Sequence, residues 1–490
     1  MARLVARALR LGRSALIQVG AGCGYQGQYR LSYLAPALMW PGPVIIVASE
    51  EVQQRLRGVE IPRLQQWLQV NKAIRMGCWP GDDFQGLLLT SPAAWFSNQL
   101  EQGVPTDIPT ILDGVDDLED WTRPQLTAGI QPGDWDELML ACPTHAEAIR
   151  EARVQLTRTV FQHPANPYEC YLISSLEKEI LCRLYSLLQQ QVPAVEGANL
   201  WGANSQSALP QAWKNYGLAL QSNEEPLLWV TIARRQGTFS LYCAPAHLGA
   251  ILSPIWSRQP VVLIGSAIDQ DAEANTYKQR LGLGDLTCLK FSADRHSEVI
   301  QLYLPDSFPL PNTPQFQAAF VEKVHSLLGL SRANPGLTVV LVGDIPLKAQ
   351  VGTILAAEFG SRVQVEKTCL DDNGILVTGW EFWRQYQAVL PTPQLLVIST
   401  LPIPSLEDPL VAGRVAYYKR SRQDWFRLYL LPVALSELAR AIAPVRGQGV
   451  VALLDSRVLH RSYGSHVLAA LSPLARVNYL DESLFTQSDE

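Results

Sequence analysis

No two of the eight cysteines (23, 78, 142, 170, 182, 243, 288 and 369) form a CxxC pair, and there is no Cys/His grouping of the kind that holds zinc or an iron–sulfur cluster. The seven histidines form no HExxH and no evident triad, which sets aside metal-hydrolase and Ser/His-hydrolase chemistry. No uncharged apolar run approaches the roughly 18 residues needed to span a bilayer. The opening stretch MARLVARALRLGRSALIQV lacks the unbroken apolar segment and small-residue cleavage site of a signal peptide. Arginines 3, 7, 10 and 13 instead fit the solvent face of an amphipathic helix. These absences lead to the expectation of a soluble, cytoplasmic protein with reduced cysteines and no membrane partner. Internal repeats and low-complexity tracts are missing too. A net charge of −6 excludes a protein coated in nucleic-acid-binding charge, though it is compatible with a local basic groove.

What is present is an ordinary globular composition, 47% hydrophobic and 18% charged over 490 residues, a length that suggests two to four domains. Short continuous apolar runs recur at VIIVA (44–48), VVLI (261–264), TVVLV (338–342), ILVT (375–378), LLVIS (395–399) and VVALL (450–454). Strands buried on both faces have this texture, whereas half-exposed strands alternate, so the fold class is α/β with parallel sheets covered by helices. The runs fall into two groups. Between them, Thr144 with Glu147 and Ser174 with Glu177 have capping-box spacing ahead of helical periodicity, which marks residues 121–190 as a helical insertion. VPAVEGANLWGANSQSALP (192–210) is the linker candidate.

Two stretches carry candidate chemistry. GAGCGYQGQYR (20–30) spaces Gly22, Gly24 and Gly27 as a phosphate-cradling loop does, but Gln28 and Tyr29 stand where such a loop needs a lysine and a small hydroxyl. In IPTILDGVDDLEDW (108–121), an apolar strand ends in Asp113, as in a Walker B strand whose aspartate binds Mg, but the following acid is replaced by Gly114. Alone, each stretch fits an ordinary turn equally well.

Their order adds to this. RLSYLAPALMWPGPVIIVAS, EVQQRLRGVEIPRLQQWL, LLLTSPAAWFSNQL and TILDGVDDLEDW follow one another at the places of motif I, motif Ia, the TNHALL-like segment and the DEAH box of DinG/XPD-type superfamily 2 DNA helicases. VVLIGSAID (261–269) resembles motif III, GILVTGWEFWRQY (374–386) motif V, and STLPIPSLEDPL (399–410) the LPF-x-x-P-x-D-P segment. YLLPVALSELARAIAPVRGQGVVALLDSRVLHRSYG (429–464) resembles the stretch around motif VI.

The resemblance implies two RecA-like P-loop NTPase lobes, the first from 1–120 and 226–300, the second from 301–490. It also places an Arch-like helical insertion with its linker at 121–225. It implies ATP and Mg in the cleft, with Asp113 as the residual metal ligand and Gly22, Gly24, Gly27, Gln28, Tyr29, Arg440 and Arg446 around the nucleotide. Single-stranded DNA or another nucleic acid would meet Ser91, Ser266, Trp380, Phe382 and Trp383, although those aromatics equally fit packing beneath the motif V strand.

Departures from the family pattern cluster at ATP. The phosphate lysine is Gln28 or Tyr29, the catalytic glutamate is Gly114, and the motif VI glutamine and first arginine fall at Ala439 and Ala443. The aspartate that ends motif V is Gln387, and only Cys78 remains where many members place iron–sulfur cysteines. The expectation is therefore a helicase homologue with impaired hydrolysis and a binding or regulatory role. The alternatives are an active ATP-dependent helicase with divergent motifs, and a structural protein that binds neither ATP nor DNA.

Overall fold

The computed structural model describes residues 1–101, 103, 105–189, 209–221, 226–291, 298–331, 336–481 and 484–485; most of the linker candidate, 192–208, lies outside them. The chain divides into two compact units, one of residues 1–118, 251–403 and 430–490, the other of residues 119–250 and 404–429.

The larger unit contains two seven-stranded sheets whose strand pairs are all parallel. Across the first, the strands run Thr287–Lys290, Ala15–Gln18, Val261–Gly265, Thr110–Asp113, Val44–Val47, Leu87–Thr90 and Ile74–Met76. Across the second they run Val363–Val365, Ile375–Thr378, Leu337–Leu341, Pro393–Ile398, Val450–Leu453, Ile300–Tyr303 and Leu474–Val477. The six apolar runs all become inner strands of these sheets, because helices on both faces remove every residue of each run from water. The first helix, Ala2–Leu11, buries Val5, Ala8 and Leu9 and leaves Arg3, Arg7, Arg10 and Arg13 exposed with their neighbours, as an amphipathic helix should.

The sequence places Gly464 in the motif VI stretch, and packing explains it. A Cβ there would overlap the Val458 carbonyl oxygen where the helix Gly464–Leu471 meets Arg457–His460. Backbone, not a flexible side chain, stands in the way. Gly464→Ala is expected to destabilise the unit by about 3 kcal/mol, the upper end for overpacking, measured as a lowered denaturant midpoint.

The second unit, where a helical insertion is expected, also contains strands. Its core wraps an antiparallel sheet in the order Ala128–Ile130, Thr238–Pro245, Pro226–Ala233, Cys170–Leu172. Residues 226–250, expected in the first lobe, and 404–429, expected in the second, both belong to this unit. Buried and half-buried positions alternate over most of Pro226–Ala233 and Thr238–Pro245, the pattern of a hairpin with one face on a core. Trp135 and Trp213 meet edge to face at 4.8 Å in that core, and Trp213 Nε1 donates to Asp134 O at 2.9 Å. The Ser174–Glu177 capping box forms, Ser174 N donating to the carboxylate at 2.7 Å and Glu177 N to Ser174 Oγ at 3.3 Å. The helix Ala146–Val160 starts at His145, which makes no side-chain cap bond, after a 3-10 turn at Pro143–His145.

By length and composition the helical run Phe426–Val445 could cross a membrane, but 67% of its apolar window is packed inside the protein, as in a core helix.

Candidate nucleotide cleft

The segment after strand Ala15–Gln18 folds into a short helix, Ala21–Gln26, that takes in Gly22 and Gly24; Gly27 follows at φ 69°. Protein groups closely approach two of these glycines, Gly22 and Gly27. A Cβ at Gly22 would come within 2.9 Å of the Glu298 carboxylate, and one at Gly27 would overlap the Arg30 guanidinium. Glu298 Oε1 also accepts from Cys23 Sγ at 3.8 Å. Burial and then this carboxylate push the Cys23 thiol above its usual range. A negative charge at this turn opposes phosphate, which needs convergent N–H groups and a cation. Gln28 is exposed.

Asp113 ends its strand fully enclosed and is engaged on both oxygens. Tyr29 Oη donates to Oδ1, while Arg30 Nε at 3.1 Å and Tyr33 Oη at 2.8 Å donate to Oδ2. The Arg30 and Asp113 side chains are 13% and 1% exposed, so the pair is a buried ion pair. Burial, then Asp113, hold both tyrosine hydroxyls well above the usual phenol range, which keeps them donors. Burial alone would lower Arg30; Asp113 and the two tyrosines more than offset it and hold the guanidinium charged. Asp113, expected from sequence as the residual Mg ligand, is engaged here by protein donors. The three donors take three of the roughly four lone-pair positions of this carboxylate, and a cation would compete with them for it.

Gly114 sits at φ 83°, a left-handed conformation that a glutamate in its place would adopt only under strain. Beyond it, Asp116 accepts from the backbone N–H groups of Ser266, at 3.0 Å, and Ala267. Burial holds its carboxyl above the usual range despite Arg440 and those two N–H groups. Asp117 pairs with Arg440 of the other lobe, whose Nη2 also donates to Glu437 at 3.0 Å. Burial would lower the Arg440 guanidinium, and the surrounding carboxylates raise it above its ordinary value. Tyr25 Oη donates to Gln387 O at 3.1 Å, a second bond between the lobes. Arg440, assigned from sequence to the nucleotide, here donates through both Nη atoms to protein carboxylates.

Arg446 is 8% exposed and donates to two carbonyls, Glu298 O and Leu471 O, each at 3.2 Å. Ala439 and Ala443, at the motif VI positions, are buried. Among the motif V aromatics, Trp383 is 1% exposed and its Nε1 donates to Ala441 O at 3.0 Å, so packing, not base stacking, is its role. Trp380 and Phe382 are half-buried, Phe382 lying 4.6 Å from the Tyr386 ring. Ser91 Oγ caps the helix Pro92–Leu100 by accepting from Ala94 N at 3.2 Å.

Arg30, Tyr33, Glu298 and Asp117 complete this arrangement, and none was among the site residues expected from sequence. Arg30 and Tyr33 carried one faint signal: Tyr33 lies three residues after Arg30 and four after Tyr29, spacings that bring side chains together at the start of a helix.

No protein-family model matches the chain. An ATP-dependent DNA helicase YoaA of Haemophilus influenzae is 24% identical over 236 residues, which cover 45% of this chain and 36% of that protein. The YoaA of Escherichia coli is 32% identical over 108 residues, 21% of this chain and 17% of the relative. The matches thus span little more than a third of these relatives at most. Among solved structures, an XPD helicase aligns over 97% of this chain and 98% of its own with a TM-score of 0.58 at 11% identity. S. tokodaii Xpd4 aligns over the same shares with a TM-score of 0.58 at 13% identity. At such identities the structural likeness shows the fold, two RecA-like lobes.

Proposed function

We propose that this chain, a homologue of DinG/XPD-type superfamily 2 DNA helicases, is a nucleic-acid-binding protein that keeps the helicase scaffold without hydrolysing ATP. One observation carries this reading: both oxygens of Asp113 are satisfied by Tyr29, Arg30 and Tyr33. Phosphoryl transfer is almost wholly positioning and charge stabilisation by a metal, a lysine, a water-orienting acid and an arginine. In this chain the metal ligand is occupied, the lysine and acid are replaced, and Arg440 is paired with Asp117 and Glu437. The cleft's charges are neutralised from within. Such a protein would hold single-stranded DNA or another nucleic acid as a binding or regulatory factor, with its lobes joined by Arg440 and Tyr25 in place of a bound nucleotide.

A purified sample assayed for strand binding and for phosphate release tests both halves. Single-strand binding that weakens with added salt is expected, because phosphate contacts release counterions. Phosphate release from ATP and Mg should stay at the protein-free background with or without DNA. DNA-stimulated release that Asp113→Ala abolishes would refute the impaired motor, and absence of strand binding would leave only a structural role.

A further inference from the structure

The strand Ile74–Met76 closes one end of the first sheet and, among the described residues, pairs only with Leu87–Thr90. Leu87 N donates to Ala73 O at 2.8 Å and Gly77 N to Leu89 O at 3.0 Å, so Ala73 and Gly77 turn these backbone groups towards that neighbour. Successive residues of a strand turn theirs to opposite sides, and those of Ile74 and Met76 therefore face away from the sheet. An open edge of this kind is a template for one more strand, and it is normally blunted by charge.

Charge blunts one face of this edge and not the other. By the alternation of a strand, Arg75 points to one face and Ile74 and Met76 to the opposite one. On the Met76 side the helical run from Glu50 to Leu68 returns alongside, Arg57 Nη1 donating to Met76 Sδ at 3.3 Å and Gln65 Nε2 to Lys72 O at 2.8 Å. This run buries Leu56, Ile61 and Leu64 in the core of the lobe and turns Arg63 and Trp67, four residues apart, to solvent, with Val59 exposed one turn earlier. Trp67 is 79% exposed and Met76 41%. Arg57, Arg63 and Arg75 are exposed and have no acid partner among the described residues, and the nearby Glu60 is taken by Arg55 at 3.0 Å. Residues 61–81 contain no Asp or Glu, in a chain whose net charge is −6. Tryptophan and arginine open to solvent beside apolar side chains are the composition of a protein-binding surface.

From this arrangement we infer that the edge takes an extended segment of a partner protein as an additional strand, one in which acidic residues alternate with aliphatic ones. A peptide backbone is the complement of the outward N–H and C=O groups of Ile74 and Met76, whereas a nucleic acid would engage only the arginines and the tryptophan. Along the added strand the acids fall on the face of Arg75 and the aliphatic residues on the face of Met76, where Val59 and Trp67 extend the apolar contact. Two strands, Val44–Val47 and Leu87–Thr90, separate this edge from the strand of Asp113, so the inference is independent of the cleft.

Fluorescence anisotropy of a labelled peptide of alternating glutamate and valine, titrated with the full chain, tests it. Saturable binding is expected, with none for the lysine–valine counterpart and none for the same peptide N-methylated along its backbone, which keeps the side chains and loses the N–H donors. Trp67→Ala and Arg75→Glu should each weaken binding about tenfold or more, as loss of an anchor residue does. Both side chains are exposed, so the variants should fold, which circular dichroism would verify. No saturable binding, an affinity unchanged by N-methylation or in both variants, or equal binding of the lysine peptide would overturn the inference. Oligothymidine bound by the parent and weakened by Trp67→Ala would assign the surface to nucleic acid and overturn it as well. Phosphate release from ATP reads the cleft and not this edge, so the failure of this inference and that of the impaired motor are distinct.

Discussion

Asp113→Ala is expected to lower the stability of the first lobe by about 3–5 kcal/mol, the range for removing one partner of a buried ion pair. The substitution strands three donors at once. Arg30, 13% exposed, would keep a buried charge with no counterion, and the Tyr29 and Tyr33 hydroxyls would each lose their acceptor. An exposed metal-binding aspartate freed from its neighbours would behave in the opposite way, because its removal relieves repulsion and leaves stability intact or improved. Denaturant unfolding followed by tryptophan fluorescence, with the first transition compared between variant and parent, separates the two. Arg30→Met combined with Asp113→Asn should recover much of the loss, since a buried pair replaced as a whole by groups of similar volume is often nearly neutral. Failure of the double variant to recover would point to packing around Asp113, not its charge, as the source of the loss.

Arg440→Ala should have the next largest effect, about 3 kcal/mol, taken at the low end of the same range because the Asp117 side chain is 38% exposed and water screens part of the interaction. The arginine stands among Asp117, Glu437 and, at longer range, Asp116, so its removal leaves carboxylates facing one another across the lobes. Their mutual repulsion should separate the lobes, read as a lengthened distance between probes placed one on each lobe. Adding salt should shorten it again by screening the like charges. An unchanged distance would show that Tyr25 and the apolar contacts hold the lobes by themselves.

The Gln28, Gly114, Ala439, Ala443 and Gln387 departures were all visible along the chain, yet they describe only what had been lost. The replacement is a matter of distance in space. Arg30 reaches Asp113 from 83 residues away, and Arg440 reaches Asp117 from 323. Nothing in the local pattern around any of these four residues encodes its partner.

By itself the sequence determined the α/β class, the six inner strands and the amphipathic first helix, because burial on both faces or on one stripe writes itself directly into residue order. It also determined the order of the helicase-like segments and the absence of a phosphate lysine. Only the tertiary structure decided that 226–250 and 404–429 join the insertion and build it partly from strands, since pairing between distant segments leaves no period in either one. The same holds for the cleft, where the fold alone brings a guanidinium and two phenols onto the Walker carboxylate. Electrostatic complementarity is a property of positions in three dimensions, and the residue order sets which charges exist without setting which of them meet.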